Sequence, residues 1–232
     1  MYRSIKSVIF DVDNTLYDFT YSNGLALNAL KEYSKENFGW TAEEFDEKHL
    51  AVQREIYEQL GYNGSCRDRM LRYQKMLEQS SLPLFPHAVK MYEMYWSTLM
   101  NTMRLSEGMS DVIKALKEKG LKIGIGSDMV PYTQMLKLEL MKVLQYFDFM
   151  VTSEEAGEEK PSPKIFNMCI EKAGCLPSEC LFIGDDLKKD YYGALSAGMK
   201  ALWFNASNKK IEDAENIAQI TSLNQILKLM FN

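Results

Sequence analysis

The sequence predicts an α/β fold, a doubly wound parallel sheet with an inserted all-helical unit, and three observations predict it. From residue 109 onward short apolar runs alternate with helix-period segments, the pattern of parallel strands whose crossovers are helices. Residues 17–104 carry helical periodicity instead. Several apolar runs also end directly in a residue capable of chemistry, and in an open parallel sheet ligands bind beyond the carboxyl ends of the strands.

The first element is Val8-Ile9-Phe10, a buried strand that delivers Asp11-Val12-Asp13-Asn14-Thr15-Leu16 at its end. Residues two apart in an extended chain share a face, so Asp11 and Asp13 project toward one site. Two such close carboxylates repel and resist desolvation unless a cation lies between them, and magnesium is suited to that place. A solvent-facing turn carrying two acids is the alternative.

In the insertion, Leu25, Ala29, Leu30 and Tyr33 recur at helical spacing over 20–37, and Gly39 stops the run. Thr41-Ala42-Glu43-Glu44 forms a capping box for the next helix. Segments 65–79 and 86–103 add two more helices, the second with a core stripe of Met91, Tyr92, Tyr95, Trp96 and Leu99. Arg67, Arg69 and Arg72 give the insertion its densest positive charge and read as a solvated helix face. Tyr17 and Phe19 either present an aromatic surface to a substrate or pack a hinge. Hinges are expected at 17–20 and 104–108, which divides the chain into a core of 1–16 and 105–232 and a cap of 17–104.

The core then reads as helix 109–119, strand 121–126, helix 131–143, strand 149–152, helix 162–173, strand 181–184, helix 188–197 and strand 200–204. The strand at 121–126 ends in Ser127, whose hydroxyl and N–H suit an anionic oxygen, though a helix N-cap needs the same residue. Lys160 precedes Pro161-Ser162-Pro163, a loop leading into a helix, and offers a fixed positive charge unless it is a solvated neighbour of Glu158 and Glu159. The strand at 181–184 delivers Asp185. Asp186 reads as a helix-start acid, and Asp190 stands between that role and a place in the site.

Net charge is −5, from 27 basic and 32 acidic residues, which leaves no electrostatic footprint for a nucleic acid polymer or an anionic membrane. No apolar stretch is long enough to span a bilayer, and Met1 to Lys6 run into the first strand without a cleavable signal, so a cytoplasmic protein is expected. Four cysteines in 232 residues make no disulfide framework. Cys169, Cys175 and Cys180 lack metal-ligand spacing and read as small hydrophobes. The two histidines, His49 and His87, both fall in the insertion, which argues against histidine catalysis.

With these residues in place, the chain resembles the haloacid dehalogenase superfamily of phosphohydrolases. Four motifs occur in order: Asp-x-Asp-x-Thr at 11–15, the serine at 127, the lysine at 160 and Gly-Asp-Asp-x-x-x-Asp at 184–190. The resemblance implies a Rossmann-like core with a helical cap inserted after the first motif. It implies Asp11 as nucleophile forming an aspartyl-phosphate and Asp13 as general acid and base. It implies Mg2+ held by Asp11, the Asp13 backbone carbonyl and Asp185, with Ser127 and Lys160 binding phosphoryl oxygens. Asp190 then orients the metal ligands or the lysine. One position departs from the family: Asp128 follows Ser127 where asparagine is usual, so a carboxylate either lies beside the phosphate or turns away.

The expected function is a magnesium-dependent phosphatase acting on a small phosphorylated molecule, as a monomer or homodimer. Asp13 argues against the dehalogenase branch. Leu16 to Phe19, Ser153 to Gly157 and the helical insertion are similar to pyrimidine 5′-nucleotidase-type members, which implies a nucleoside 5′-monophosphate. A sugar-phosphate phosphomutase on the same four motifs and a noncatalytic binding module are the alternatives.

Overall fold

The structure is a computed structural model that describes residues 2–62, 64–211 and 214–231. The chain divides into two compact units, Met1–Asp18 with Arg104–Asn232 and Phe19–Met103.

In the first unit, β1 (Ser7–Phe10), β2 (Lys122–Ser127), β3 (Phe149–Thr152), β4 (Cys180–Gly184), β5 (Lys200–Phe204) and β6 (Gln219–Ile220) form one sheet. Its order is β3-β2-β1-β4-β5-β6 and every pairing is parallel. All four residues of β1 are buried, as the unbroken apolar run requires of a central strand covered on both faces. The chain builds outward from β1 to β2 and β3, then returns to place β4 on the other side of β1. That reversal makes the carboxyl ends of β1 and β4 the switch point where a crevice opens.

The helices of this unit are α5 (Met109–Glu118), α6 (Pro131–Leu140), α7 (Ser153–Ala156), α8 (Pro163–Ala173), α9 (Gly193–Ser196) and α10 (Gln225–Phe231). Proline at the first turn starts both α6 and α8. Ile9, Val151, Phe166, Cys169, Phe182 and Trp203 pack together in the core. The cysteines are free, with Cys66, Cys169 and Cys180 buried and Cys175 half-buried.

The second unit is helical: α1 (Phe19–Phe38), α2 (Ala42–Leu60), α3 (Arg69–Gln79) and α4 (His87–Thr102). Helix α1 packs on α4, and α3 packs on α2 and α4. The capping box is present: Glu44 N–H donates to Thr41 Oγ1 at 3.2 Å and Thr41 N–H to Glu44 Oε2 at 2.8 Å. Met91, Tyr95 and Leu99 are buried, so this part of the stripe is core, while Tyr92 and Trp96 are partly exposed.

Three sequence expectations change. The helix expected over 65–79 begins at Arg69, because Asp68 accepts from the N–H groups of Met70 and Leu71 and caps it there, leaving a 3₁₀ turn at Gly64–Arg67. The helix expected over 188–197 is a π-helical turn, Leu187–Tyr192, followed by α9; Tyr191 N–H bonds to Asp186 O, five residues back. Arg69 and Arg72 are 9% and 3% exposed and so are not a solvated face. Helical spacing located them on one side of α3 but could not say which side faced inward, because arginine is read as polar by default.

Gly184, the last residue of β4, ties this fold to its site. A Cβ there would collide with the Asp190 carboxylate. Gly184→Ala is expected to destabilise the protein by about 1–3 kcal/mol through this overpacking, measured by urea denaturation. An unchanged midpoint would show that Asp190 is not held against the strand.

Candidate active site

Four sequence segments meet at the carboxyl ends of β1, β2 and β4. Asp11 leaves β1, Ser127 ends β2, Asp185 follows β4, and Lys160 lies in the loop before α8. The Lys160 ammonium is 3% exposed and donates to Asp11 Oδ1 at 2.8 Å, Asp190 Oδ1 at 2.7 Å and Gly126 O at 3.1 Å. All three of its donors are thereby used on the protein. Burial lowers a lysine's pKa, yet Asp11, Asp190 and Asp128 outweigh it and hold Lys160 well above the ordinary value.

Asp11, Asp185 and Asp190 each bring a carboxylate oxygen into a group whose atoms lie within 4.8 Å of one another. One lysine cannot neutralise three carboxylates. Burial, reinforced by Asp190, Asp185 and Asp13 against the pull of Lys160, pushes Asp11 up to about 8. Burial and Asp190 push Asp185 up to about 7, although Lys160 and an Asn14 hydrogen bond act the other way. Asp190 is likewise raised by burial, with Lys160 opposing. The cluster is thus deficient in positive charge, and its all-oxygen donor set fits a hard divalent cation such as Mg2+.

The Asp13 carboxylate lies outside this trio. Its Oδ1 accepts from Lys137 Nζ and from the Tyr17 hydroxyl, both at 2.6 Å. Tyr17 is 1% exposed, with Lys137 Nζ 5.5 Å from its ring centre, so it orients Asp13 within the core. Asn14 directly after Asp13 has φ of 58°, a left-handed conformation that asparagine tolerates, and the chain turns there. Phe19 is partly buried at the start of α1 in the other unit.

Ser127 is buried, and its Oγ accepts from Gln134 Nε2 at 2.7 Å, which leaves the hydroxyl proton for another acceptor. Asp128 turns to the protein's own donors: Oδ1 accepts from Lys160 N–H at 2.8 Å and Oδ2 from Lys189 Nζ at 2.8 Å. Lys189 also reaches the buried Glu159 at 3.0 Å. The carboxylate in the usual asparagine position therefore positions the lysine loop and carries its own counter-ion. Asp186 caps the π turn, accepting from the N–H groups of Lys188 and Lys189 at 2.9 Å each. Its own N–H donates to Asp190 Oδ2 at 3.0 Å.

Sequence reasoning passed over Lys137, Gln134 and Lys189, and read Glu159 only as a solvated neighbour of Lys160, whereas it is buried. Gln134 and Lys137 stand three apart on the buried face of α6, and a lysine recurring among apolar positions of a helix was the available signal. Nothing in the sequence marked Lys189 or Glu159 apart from other surface charges.

The comparisons agree with this geometry. The family model for haloacid dehalogenase-like hydrolases matches residues 8–204, and the chain belongs to that family. A ribulose-1,5-bisphosphate 5-phosphatase of Halopiger xanaduensis is 30% identical over 205 residues, 88% of this chain and 86% of that protein. The pyrimidine 5′-nucleotidase YjjG of Escherichia coli is 30% identical over 228 residues, 96% of each chain. A crystal structure of a phosphatase of the family from Thermococcus onnurineus superposes with a TM-score of 0.74 at 28% identity and 97% coverage of both chains. Among the described residues no helix is long and apolar enough to cross a membrane.

The raised carboxyls make cation binding pH-dependent. Without metal, the folded protein retains protons on Asp11 and Asp185 that the unfolded chain loses near 4, so the metal-free fold loses stability as pH rises toward about 8. A cation must displace those protons, so Mg2+ affinity rises over the same range. Calorimetric titration is expected to show affinity roughly tenfold or more higher at about pH 8.5 than at about pH 6. Equal affinities would mean that these carboxyls do not hold the ion.

Proposed function

We propose that this hydrolase is a magnesium-dependent phosphatase that cleaves small phosphomonoesters by transferring the phosphoryl group to Asp11. The observation that carries the reading is Lys160, buried and bonded to Asp11 and Asp190 at once. It holds one oxygen of Asp11 in place and favours its ionised form, which a nucleophilic carboxylate needs. Asp11, Asp185, Asp190 and the Asp13 backbone carbonyl are the groups available to a magnesium ion, which when bound supplies positive charge against the phosphoryl oxygens.

Asp11 attacks phosphorus through the oxygen not engaged by Lys160, the bond from phosphorus to the ester oxygen breaks, and Asp13 gives its proton to that leaving oxygen. Asp13 then takes a proton from the water that attacks the aspartyl-phosphate, releasing phosphate and restoring Asp11. Lys137 and Tyr17 both hold Asp13 Oδ1, which directs Oδ2 as the proton-carrying oxygen. Ser127 donates its remaining proton to a phosphoryl oxygen. Positioning and charge do most of the work because the transferring group has little other chemistry to offer.

The substrate class stays at small phosphomonoesters. Relatives of equal identity are named for a ribulose bisphosphate and for pyrimidine nucleotides, and others at 28–30% identity for glyceraldehyde 3-phosphate. A nucleoside 5′-monophosphate is the finer proposal, favoured by the residue similarities at 16–19 and 153–157. Colorimetric phosphate release from a panel of nucleotides, sugar phosphates and an aryl phosphate, with and without chelator, tests class and substrate together. A phosphomutase would instead yield an isomeric ester without free phosphate.

Asp11→Asn is expected to abolish turnover while the protein stays folded, since the amide is nearly isosteric but a poor nucleophile. Retention of substantial phosphate release by the purified variant would exclude Asp11 as nucleophile. Lys160→Ala and Asp185→Ala should each lower kcat by roughly a hundredfold or more, and the double variant should fall short of the product of the two effects because both act on one phosphoryl group. Small, independent losses in steady-state kinetics would place both residues outside the reaction.

A further inference from the structure

The helical unit holds a second concentration of charge that the reaction above does not use. Arg69 and Arg72 lie one turn apart on α3, both buried, and no carboxylate among the described residues pairs with either. Lys31 and Lys75 of the same unit, both more exposed, have carboxylates at 2.7 Å and 2.6 Å. Those two lysines are neutralised and the two buried arginines are not. Burying a charge without a counter-ion is unfavourable, and two adjacent like charges add their repulsion.

The partners that do exist are neutral. Arg69 Nη1 donates to Arg67 O at 3.1 Å and Nη2 to the Tyr95 hydroxyl at 3.3 Å, with the guanidinium 5.1 Å from the centre of the Tyr95 ring. The Tyr95 hydroxyl is committed in turn to Asn23 Oδ1 at 2.7 Å. Arg72 Nη1 lies 3.2 Å from His49 Nε2, and burial, then Arg72 and Arg69, push that imidazole down to about 3. His49 is therefore a neutral acceptor. The Nε atoms of both arginines and the Tyr73 hydroxyl are buried without a hydrogen-bond partner. Buried donors left unpaired are uncommon, and an anion is one group that would supply the acceptor they lack.

We propose that Arg69, Arg72 and Tyr73 form an oxyanion receptor in the helical unit that accepts a carboxylate or phosphate group. Guanidinium edges match planar or tetrahedral oxyanions in a bidentate manner, and the unpaired Tyr73 hydroxyl is a further donor. The receptor lies wholly within the helical unit, takes a free oxyanion, and does not rest on the phosphatase reading.

The test follows the arginine Nε–Hε resonances of full-length, metal-free protein with 15N-labelled arginine during titration with inorganic phosphate and, separately, acetate. The resonances missing from Arg69→Lys and Arg72→Lys are expected to shift saturably with at least one of the two anions. Through-bond assignment in the wild type identifies them if either variant fails to fold. Unmoved resonances, or a non-saturating drift shared with the exposed Arg3 and Arg54, would overturn the receptor.

Discussion

The Lys160 ammonium is the constraint on which the rest of the site depends. It joins the end of β1 through Asp11, the backbone of β2 through Gly126 and the turn after β4 through Asp190. Each of those bonds requires something of the fold. Gly184 must lack a side chain for Asp190 to approach, and the π turn must place Asp190 against the strand. Asp128 must face the Lys160 N–H, which it does with Lys189 as counter-ion. A lysine bonded three ways in a buried site fixes geometry more firmly than it stabilises, since removing either member of such a pair leaves an uncompensated charge.

That lysine also leaves the site incomplete. Asp11, Asp185 and Asp190 carry more negative charge than it offsets, and the raised carboxyls of Asp11 and Asp185 are the consequence. A parallel sheet can impose this arrangement because strands β1 and β4 are neighbours at its switch point and end level with each other. The chemistry is thus set by where two adjacent strands stop. Asp13, one residue beyond Val12, is held apart from the trio by its own pair of donors, Lys137 and Tyr17, so the two acids of one short loop have different partners.

The sheet and the segments that meet at the site were legible in the sequence, because buried strands and crossover helices have different periods and because Asp11, Ser127 and Asp185 stand directly after apolar runs. The finer structure was not. A π turn and an α-helix share nearly the same spacing of apolar residues, so 188–197 read as one helix. The two residues of β6 and the four of α7 are too short to carry a period. Asp128 was legible as a departure from its family but its direction was not, since that depends on Lys189, sixty-one residues away. The burial of Arg69 and Arg72 escaped for a general reason: charge predicts exposure, and nothing in a single sequence marks the positions that violate that rule.

Asp11 as the phosphoryl acceptor is the claim that ties the lysine, the carboxylate trio and the family together. Acid quenching within a single turnover, followed by mass spectrometry of the peptide spanning β1 and its loop, reads it directly. One phosphoryl group on Asp11 is expected to appear before free phosphate and to decay as phosphate is released. Phosphate release with no phosphorylated peptide at any quench time, or with the group on another residue, would contradict it.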